Sequence, residues 1–398
     1  MPFLKKQKEP SMFTDSDFDA IRPYNDSEVI ETLGRLIKEE AFIRFAQQLF
    51  PEFSKEMIVK ALGEVKTIKE FQSNFIVRLA QHIIDHTTKG ITIDGLENLD
   101  PKESYLFISD HRDIILDSAL LNVMLHNNGF ETTEIAIGSN LLIQPWIADL
   151  VKLNKSFVVQ RNVSVRQMLT SSKLLSSYIQ YALNTKKASI WIAQREGRTK
   201  DGDDRTQQSL LKMLQMSGDV TFSEHFKSLR IVPVAISYEY EPCDAMKTLE
   251  VYRKETNQGY KKTPKDDLRS MIKGMVNEKG RVNFVIGKPI SEMLDVIEEM
   301  DDSRDKFKAL ADLIDYRIHK NYKLWPDNYI AYDIVNETNE FAHKYTAEEK
   351  DLFLKHMEKK INPDEGDPDR LNQIFFEIYA NPVKNRLELT KPDFILEK

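Results

Sequence analysis

The segment Tyr105-Leu106-Phe107-Ile108-Ser109-Asp110-His111-Arg112-Asp113-Ile114-Ile115-Leu116-Asp117-Ser118-Ala119-Leu120-Leu121 changes character twice. Tyr105 to Ile108 is a short apolar run, the length of a buried strand. From Leu116 onward, Leu116, Ala119, Leu120, Val123 and Met124 recur at helical spacing. The polar cluster between the two patterns therefore sits where a strand gives way to a helix. In open α/β sheets, ligands and reacting groups collect outside the carboxyl ends of strands. His111, with Asp113 and Asp117 close behind it, suits a general base with an orienting carboxylate. A polar surface loop that caps the following helix accounts for the same residues equally well.

Outward from this segment, strands and helices alternate. The period changes at Gly90, where Ile91-Thr92-Ile93 alternates with polar neighbours and Gly95 and Pro101 bracket a turn. Further strands are predicted at 104–109, 133–138, 156–160, 188–194, 229–237 and 281–286, most of them separated by helical stretches. That alternation is the mark of an α/β fold. Before it, Asn25-Asp26-Ser27-Glu28 opens a helical region with a capping residue and early acids. The region runs to about His86 as three to five helices and carries no chemistry of its own; Pro51 and Gly63 punctuate it. Residues 1–25, with Pro2, Pro10 and Pro23, read as an irregular lead. Past the alternating region, 305–322 reads as an amphipathic helix, and the tail from 325 carries helical pieces near 346–361 and 368–380.

The chain has 398 residues, more than one core usually serves, so two or three structural units are expected. Hydrophobic residues at 41% and charged residues at 30% describe an ordinary folded protein. Cys243 is the only cysteine, which rules out an internal disulfide and a thiolate metal cluster, and fits a reducing compartment. A net charge of −7 argues against a general nucleic-acid binder. No stretch reaches the roughly 20 apolar residues of a membrane span. Met1 to Pro10 has lysines but no apolar run behind them, so no signal peptide is expected. If the protein meets a membrane, it lies on the surface.

Four more stretches stand out. Lys152 to Arg161 is an apolar strand flanked by cations, and Arg161 at its end could fork onto a phosphate or sit exposed at a sheet edge. Ile190 to Gly202 is an apolar strand that ends in Arg195-Glu196-Gly197-Arg198-Thr199-Lys200, three cations around one acid with a glycine that lets a ligand approach. Such a turn suits a phosphate or the diphosphate of a carrier, or it is simply solvated. Ile231 to Tyr240 is a continuous apolar run whose Pro233 marks an edge or a bulge. Asn140 to Leu150 is apolar with Trp146, and could line an apolar tunnel, lie on a bilayer or serve as a core helix.

The order and spacing of the polar blocks resemble the four sequence blocks of the glycerolipid acyltransferases, which include glycerol-3-phosphate and 1-acylglycerol-3-phosphate acyltransferases. His111 to Ser118, Phe157 to Arg161, Ile190 to Arg198 and Ile231-Val232-Pro233-Val234 fall in that order, and Gly287-Lys288-Pro289-Ile290 resembles a turn found downstream. The resemblance covers roughly 90–290. Two departures stand out: five residues separate His111 from Asp117 where the family has four, and Gln194-Arg195 replaces the usual Phe-Pro. The first block is then bulged by one residue, or Asp113 has taken the orienting role.

The resemblance implies a mixed α/β sheet flanked by helices, with an N-terminal helical unit at 1–89, an acyltransferase domain at 90–324 and a C-terminal helical tail at 325–398. It implies transfer of a fatty acyl group from an acyl thioester, acyl-CoA or acyl carrier protein, to a glycerol hydroxyl in phospholipid biosynthesis. His111 is then the base, with an ordinary pKa near neutral, and Asp117 its partner, with Asp113 the rival. Arg161 and Arg198 by match, and Arg195 by proximity, hold the acceptor phosphate; Gly197 and Lys200 complete the binding turn. Glu196 orients an arginine. No metal or resident cofactor is required. The expected partners are the acyl donor, a glycerol phosphate or lysophospholipid and a membrane surface, with no nucleic acid. The expected location is cytoplasmic, peripheral on the inner face of the cell membrane. A hydrolase using water as acceptor, or a non-catalytic lipid-binding scaffold of the same fold, are the alternatives.

Overall fold

The computed structural model describes residues 13–50, 52–257 and 259–392. The lead up to residue 12 and Pro51 lie outside the described residues. Among the described residues seven strands form one sheet: β1 Thr88–Asp94, β2 Leu106–Ser109, β3 Glu134–Gly138, β4 Ser156–Val159, β5 Ile190–Ala193, β6 Ile231–Tyr238 and β7 Gly280–Ile286. Their spatial order is β1-β7-β6-β2-β5-β3-β4. Every pairing is parallel except that of β6 with β7. The sheet is thus mixed and flanked by helices: the alternation in the sequence gives the α/β class, and the mixed sheet is the one that the resemblance implies.

Both faces of the sheet are covered, and the strands alternate between two cores accordingly. Leu106, Ile108, Ile190, Ile192 and Ile231 face one core, with Leu175, Tyr178 and Ile179 of α8 (Val165–Asn184) and Leu310, Leu313 and Ile314 of α14 (Ser303–Asn321). Phe107, Trp191, Val232, Val234 and Phe284 face the other, with Leu120, Leu121 and Leu125 of α6 (Leu116–Asn127). Between these helices run α7 (Pro145–Leu153), α9 (Gln208–Leu214), α10 (Phe222–Leu229), α11 (Asp244–Thr256), α12 (Pro264–Val276) and α13 (Leu294–Glu298).

The N-terminal helices are α1 (Asp26–Leu36), α2 (Glu40–Leu49), α3 (Lys55–Gly63), α4 (Ile68–Phe71) and α5 (Val77–Thr87), with a π turn at Gln72–Ile76 joining the last two. Asn25 caps α1, and Glu28 closes the capping box on the Asn25 N–H. Val29, Leu33, Phe42, Ile43 and Phe71 make a core of their own that also takes in Trp146, Leu150 and Leu153 of α7. At the other end, α15 (Pro326–Val335), α16 (Ala347–Lys360) and α17 (Pro368–Leu387) pack around Phe353, Phe375 and Tyr379, and this cluster includes Tyr240 just past β6. The pattern in the sequence predicted α16 and the start of α17 but not α15, and α17 runs past the expected end at 380.

Pro233 corrects an expectation. It is neither at an edge nor in a bulge: β6 is interior, between β2 and β7. The Pro233 carbonyl accepts from the Gly287 N–H at 2.9 Å. The proline nitrogen therefore faces the side where β7 has already ended at Ile286, and no ladder bond is lost. Gly287 is needed for this approach, because a Cβ there would stand 2.7 Å from the Pro233 oxygen.

Candidate active site

β2, β5, β3 and β4 run parallel, so their carboxyl ends open on one edge of the sheet. β2 ends at Ser109, and the loop Asp110 to Ile115 leads into α6. Asp117, in the first turn of α6, organises that loop. Its Oδ2 accepts from the N–H groups of Arg112 (2.7 Å) and Asp113 (2.9 Å) and faces His111 Nδ1 at 2.9 Å. Its Oδ1 accepts from the Tyr238 hydroxyl at 3.0 Å. Asp113 does something else: its Oδ1 accepts from the N–H groups of Ile115 and Leu116, both at 2.9 Å, which caps α6. The additional residue in the block is thus taken up by a capping turn, and Asp117 is the carboxylate at the ring.

With Nδ1 bound to a buried carboxylate, His111 keeps Nε2 for the cavity it lines. Burial, then the Arg198 charge, push the ring down to about 3, so it is a neutral imidazole and not a group near its ordinary value. Burial and Asp113 push Asp117 the other way, to about 8, against the pull of the backbone donors and Tyr238.

The cavity has a volume of about 1470 Å³. Its apolar wall includes Phe45 of α2, Leu79 of α5 and Trp146, Ile147 and Leu150 of α7, along with Phe75. Its polar wall includes Arg161, Arg195, Glu196, Gly197, Arg198 and Lys200. All the site residues expected from the sequence therefore meet in one place, except that Asp113 and Asp117 lie behind His111 and do not line the cavity. The Thr199 N–H bonds the His111 carbonyl at 2.9 Å, which ties the cationic turn to the histidine loop. Gly197 turns the chain there at φ +71°. Glu196 pairs with Arg161 at 2.9 Å. Arg198 is 4% exposed, beside Cys243 and Asp113, and among the described residues neither its Nη1 nor Arg195 Nε has a hydrogen-bond partner. Buried guanidinium N–H groups left this way are costly unless an acceptor meets them.

Several neighbours were not legible as site residues. Tyr238 was part of a strand that reads as core. Trp191 meets the His111 ring edge-on, 5.8 Å between centroids. Lys200 pairs with Glu250 of α11 at 3.1 Å, and Lys254 shares that carboxylate at 2.9 Å. Burial and Arg198 lower Lys200 to about 7. Behind the loop, Arg112 is buried against Asp110 (3.1 Å), Asp204 (3.4 Å), Glu241 (3.6 Å) and the Tyr322 ring. Tyr238, Glu250, Lys254, Asp204, Glu241 and Tyr322 carry no spacing signal, because they reach the site from parts of the chain outside the histidine block. Among the described residues, no group of three or more His, Cys, Asp and Glu is placed to hold a metal ion.

Residues 90–237 match the family model described as Acyltransferase. This segment is similar to the acyltransferases. The four blocks that resemble the glycerolipid acyltransferases all lie inside it. A crystal structure of the 1-acyl-sn-glycerophosphate (LPA) acyltransferase PlsC from Thermotoga maritima is similar at a TM-score of 0.37 and 9% identity, over 73% of this chain and 92% of that one. No curated protein matches the chain. The matched acyltransferase segment starts in β1 and ends in β6. Residues of α2, α5, α11 and α12 lie outside it, yet they wall its cavity.

Proposed function

We propose that the acyltransferase domain moves a fatty acyl group from an acyl thioester, acyl-CoA or acyl carrier protein, to a hydroxyl of glycerol-3-phosphate or 1-acylglycerol-3-phosphate. The observation that carries this is the His111–Asp117 pair at the wall of a cavity that is apolar toward α2, α5 and α7 and cationic around Arg198. In this reading the fatty chain lies along the apolar wall. The acceptor phosphate meets the free N–H groups of Arg198 and Arg195, with Arg161 held alongside by Glu196. Gly197 shapes that turn, and Lys200 adds to its field.

His111 Nε2 takes the proton of the acceptor hydroxyl as its oxygen attacks the thioester carbonyl. The imidazolium is stabilised by Asp117, which also fixes the tautomer through Nδ1. The tetrahedral adduct collapses with loss of the thiolate, which recovers the proton from His111. Bond formation and cleavage balance without a further reactant. The chain works in the cytoplasm, peripheral on the inner face of the cell membrane, where a lipid product is discharged. Among the described residues no helix is long and apolar enough to cross a membrane.

The test is release of free thiol from an acyl thioester with a panel of glycerol phosphates and lysophospholipids. Release that depends on the acceptor supports transfer. Release without any acceptor supports a hydrolase, and no release supports a lipid-binding scaffold.

A further inference from the structure

We propose that the rim of the cavity formed by α8, the 3-10 turn Gln215–Ser217 and α12 is a face that rests on an anionic lipid bilayer. The inference deepens the proposed reaction by naming the surface through which its lipid enters.

The first observation is exposed apolar surface in a particular place. Met168 and Leu169 on α8 are each 53% exposed, and Ile272 and Val276 on α12 are 41% and 56% exposed. Met216 joins them at 39%. Ile272 and Val276, four residues apart, share one helix face. Met168, Met216 and Ile272 also line the cavity, so its apolar wall continues onto the surface. The pieces of the rim adjoin one another. The Ser176 hydroxyl of α8 donates to the Leu214 carbonyl beside the 3-10 turn. On the other side α12 contacts the turn Ser139–Leu141, and Ser139 accepts from the Arg161 N–H just before α8.

The second observation is charge. The protein as a whole carries −7, yet α8 contains Arg166 and Lys173 and no acid at all. On α12, Lys265, Arg269 and Lys273 outnumber Asp266 and Asp267, and Lys262 holds Asp267. An apolar rim with a basic surround on an acidic protein complements anionic headgroups above an acyl layer. A second copy of the chain would bring the same positive rim against itself. An acidic protein would meet the cations and leave the Met, Leu, Ile and Val side chains in water.

The experiment is co-sedimentation of the full chain with vesicles of phosphatidylcholine alone and of phosphatidylcholine with phosphatidylglycerol. The expected result is binding to the phosphatidylglycerol vesicles that weakens as salt is raised. The double variant Leu169→Glu, Val276→Glu is expected to bind those vesicles about tenfold more weakly or worse. Neither residue lines the cavity, so transfer between a short-chain, water-soluble thioester and glycerol phosphate is unchanged in it. Wild-type protein that stays in the supernatant with every vesicle overturns the proposal, as does a double variant that binds like the wild type. A dimer in solution that the double variant disrupts, with no vesicle binding, assigns the face to a second copy and overturns it too. Vesicle binding without any acyl transfer upholds the face and sinks the reaction; transfer of soluble substrates without vesicle binding does the reverse.

Discussion

His111 is a weak base by itself, and its use depends on Asp117. Replacing His111 with Ala is expected to lower turnover by roughly 10²–10⁴-fold, with the fold retained by circular dichroism. Asp117→Asn is expected to be more damaging than Asp113→Asn, since Asp117 meets the ring and Asp113 caps α6. Abolition of activity by Asp113→Asn alone would reverse that order and remove the pairing. The pair also sets a pH dependence. The two groups titrate together, with Asp117 raised to about 8 and His111 lowered to about 3. A proton taken up as pH falls sits between them, and Nε2 then carries hydrogen and cannot accept one. The expected kcat/KM therefore rises with pH and levels off above about 8, and Asp117→Asn removes that limb of the profile. At Arg198, substitution by Ala should raise the acceptor KM and leave the donor KM nearly unchanged, with Arg198→Lys restoring only part, because lysine lacks the planar fork. A rise in the donor KM alone would give the arginine to the acyl carrier.

At the scale of elements, the apolar wall is a property of helices that no block of the sequence announces. Leu79→Trp on α5 fills part of that wall and is expected to shift the preferred donor toward shorter acyl chains, measured with a thioester series, while the glycerol phosphate KM stays put. Unchanged chain preference would place the acyl chain elsewhere. The inner strands were legible because each is a short apolar run between turn residues, with burial on both faces, whereas the edge strand β1 showed through the alternation of Ile91 and Ile93 with polar neighbours. Asn25 and Glu28 gave away the start of α1 through a local capping box. The walls were not legible. Phe45, Leu79 and Met271 lie far apart in sequence, and the helical stripe that lines a cavity is the same stripe that packs a core. Pro233 misled for a related reason. Whether a strand proline costs a ladder bond depends on where the neighbouring strand ends, and β7 is remote in the chain. Tyr238 likewise has its meaning only through Asp117, which sits on another element.

At the scale of the whole molecule, the C-terminal helices bury a carboxyl close to Glu239, just past the end of β6. Asp327, at the start of α15, has an Oδ2 without a hydrogen-bond partner among the described residues. Burial, then Glu239, push its carboxyl up to about 8, with Glu349 adding to the rise and Arg281 and Lys89 opposing it. A carboxyl raised in the folded state favours the fold at low pH and loses that advantage as pH climbs from about 4 to about 8. Asp327→Asn should therefore raise Tm by an amount that grows across that window and is greatest above it; an increment independent of pH would refute the assignment. The order of the sheet has a temporal consequence as well. β2 carries the histidine loop, but its two neighbours begin only at Ile190 and Ile231. A chain emerging from the ribosome holds His111 and Asp117 long before anything flanks their strand, and Tyr238, which steadies Asp117, comes last. Pairings of such separation close slowly. The strand that carries the reactive pair therefore gains its second neighbour only once the chain has reached β6, and the helices that close the cavity, α11 and α12, follow later still.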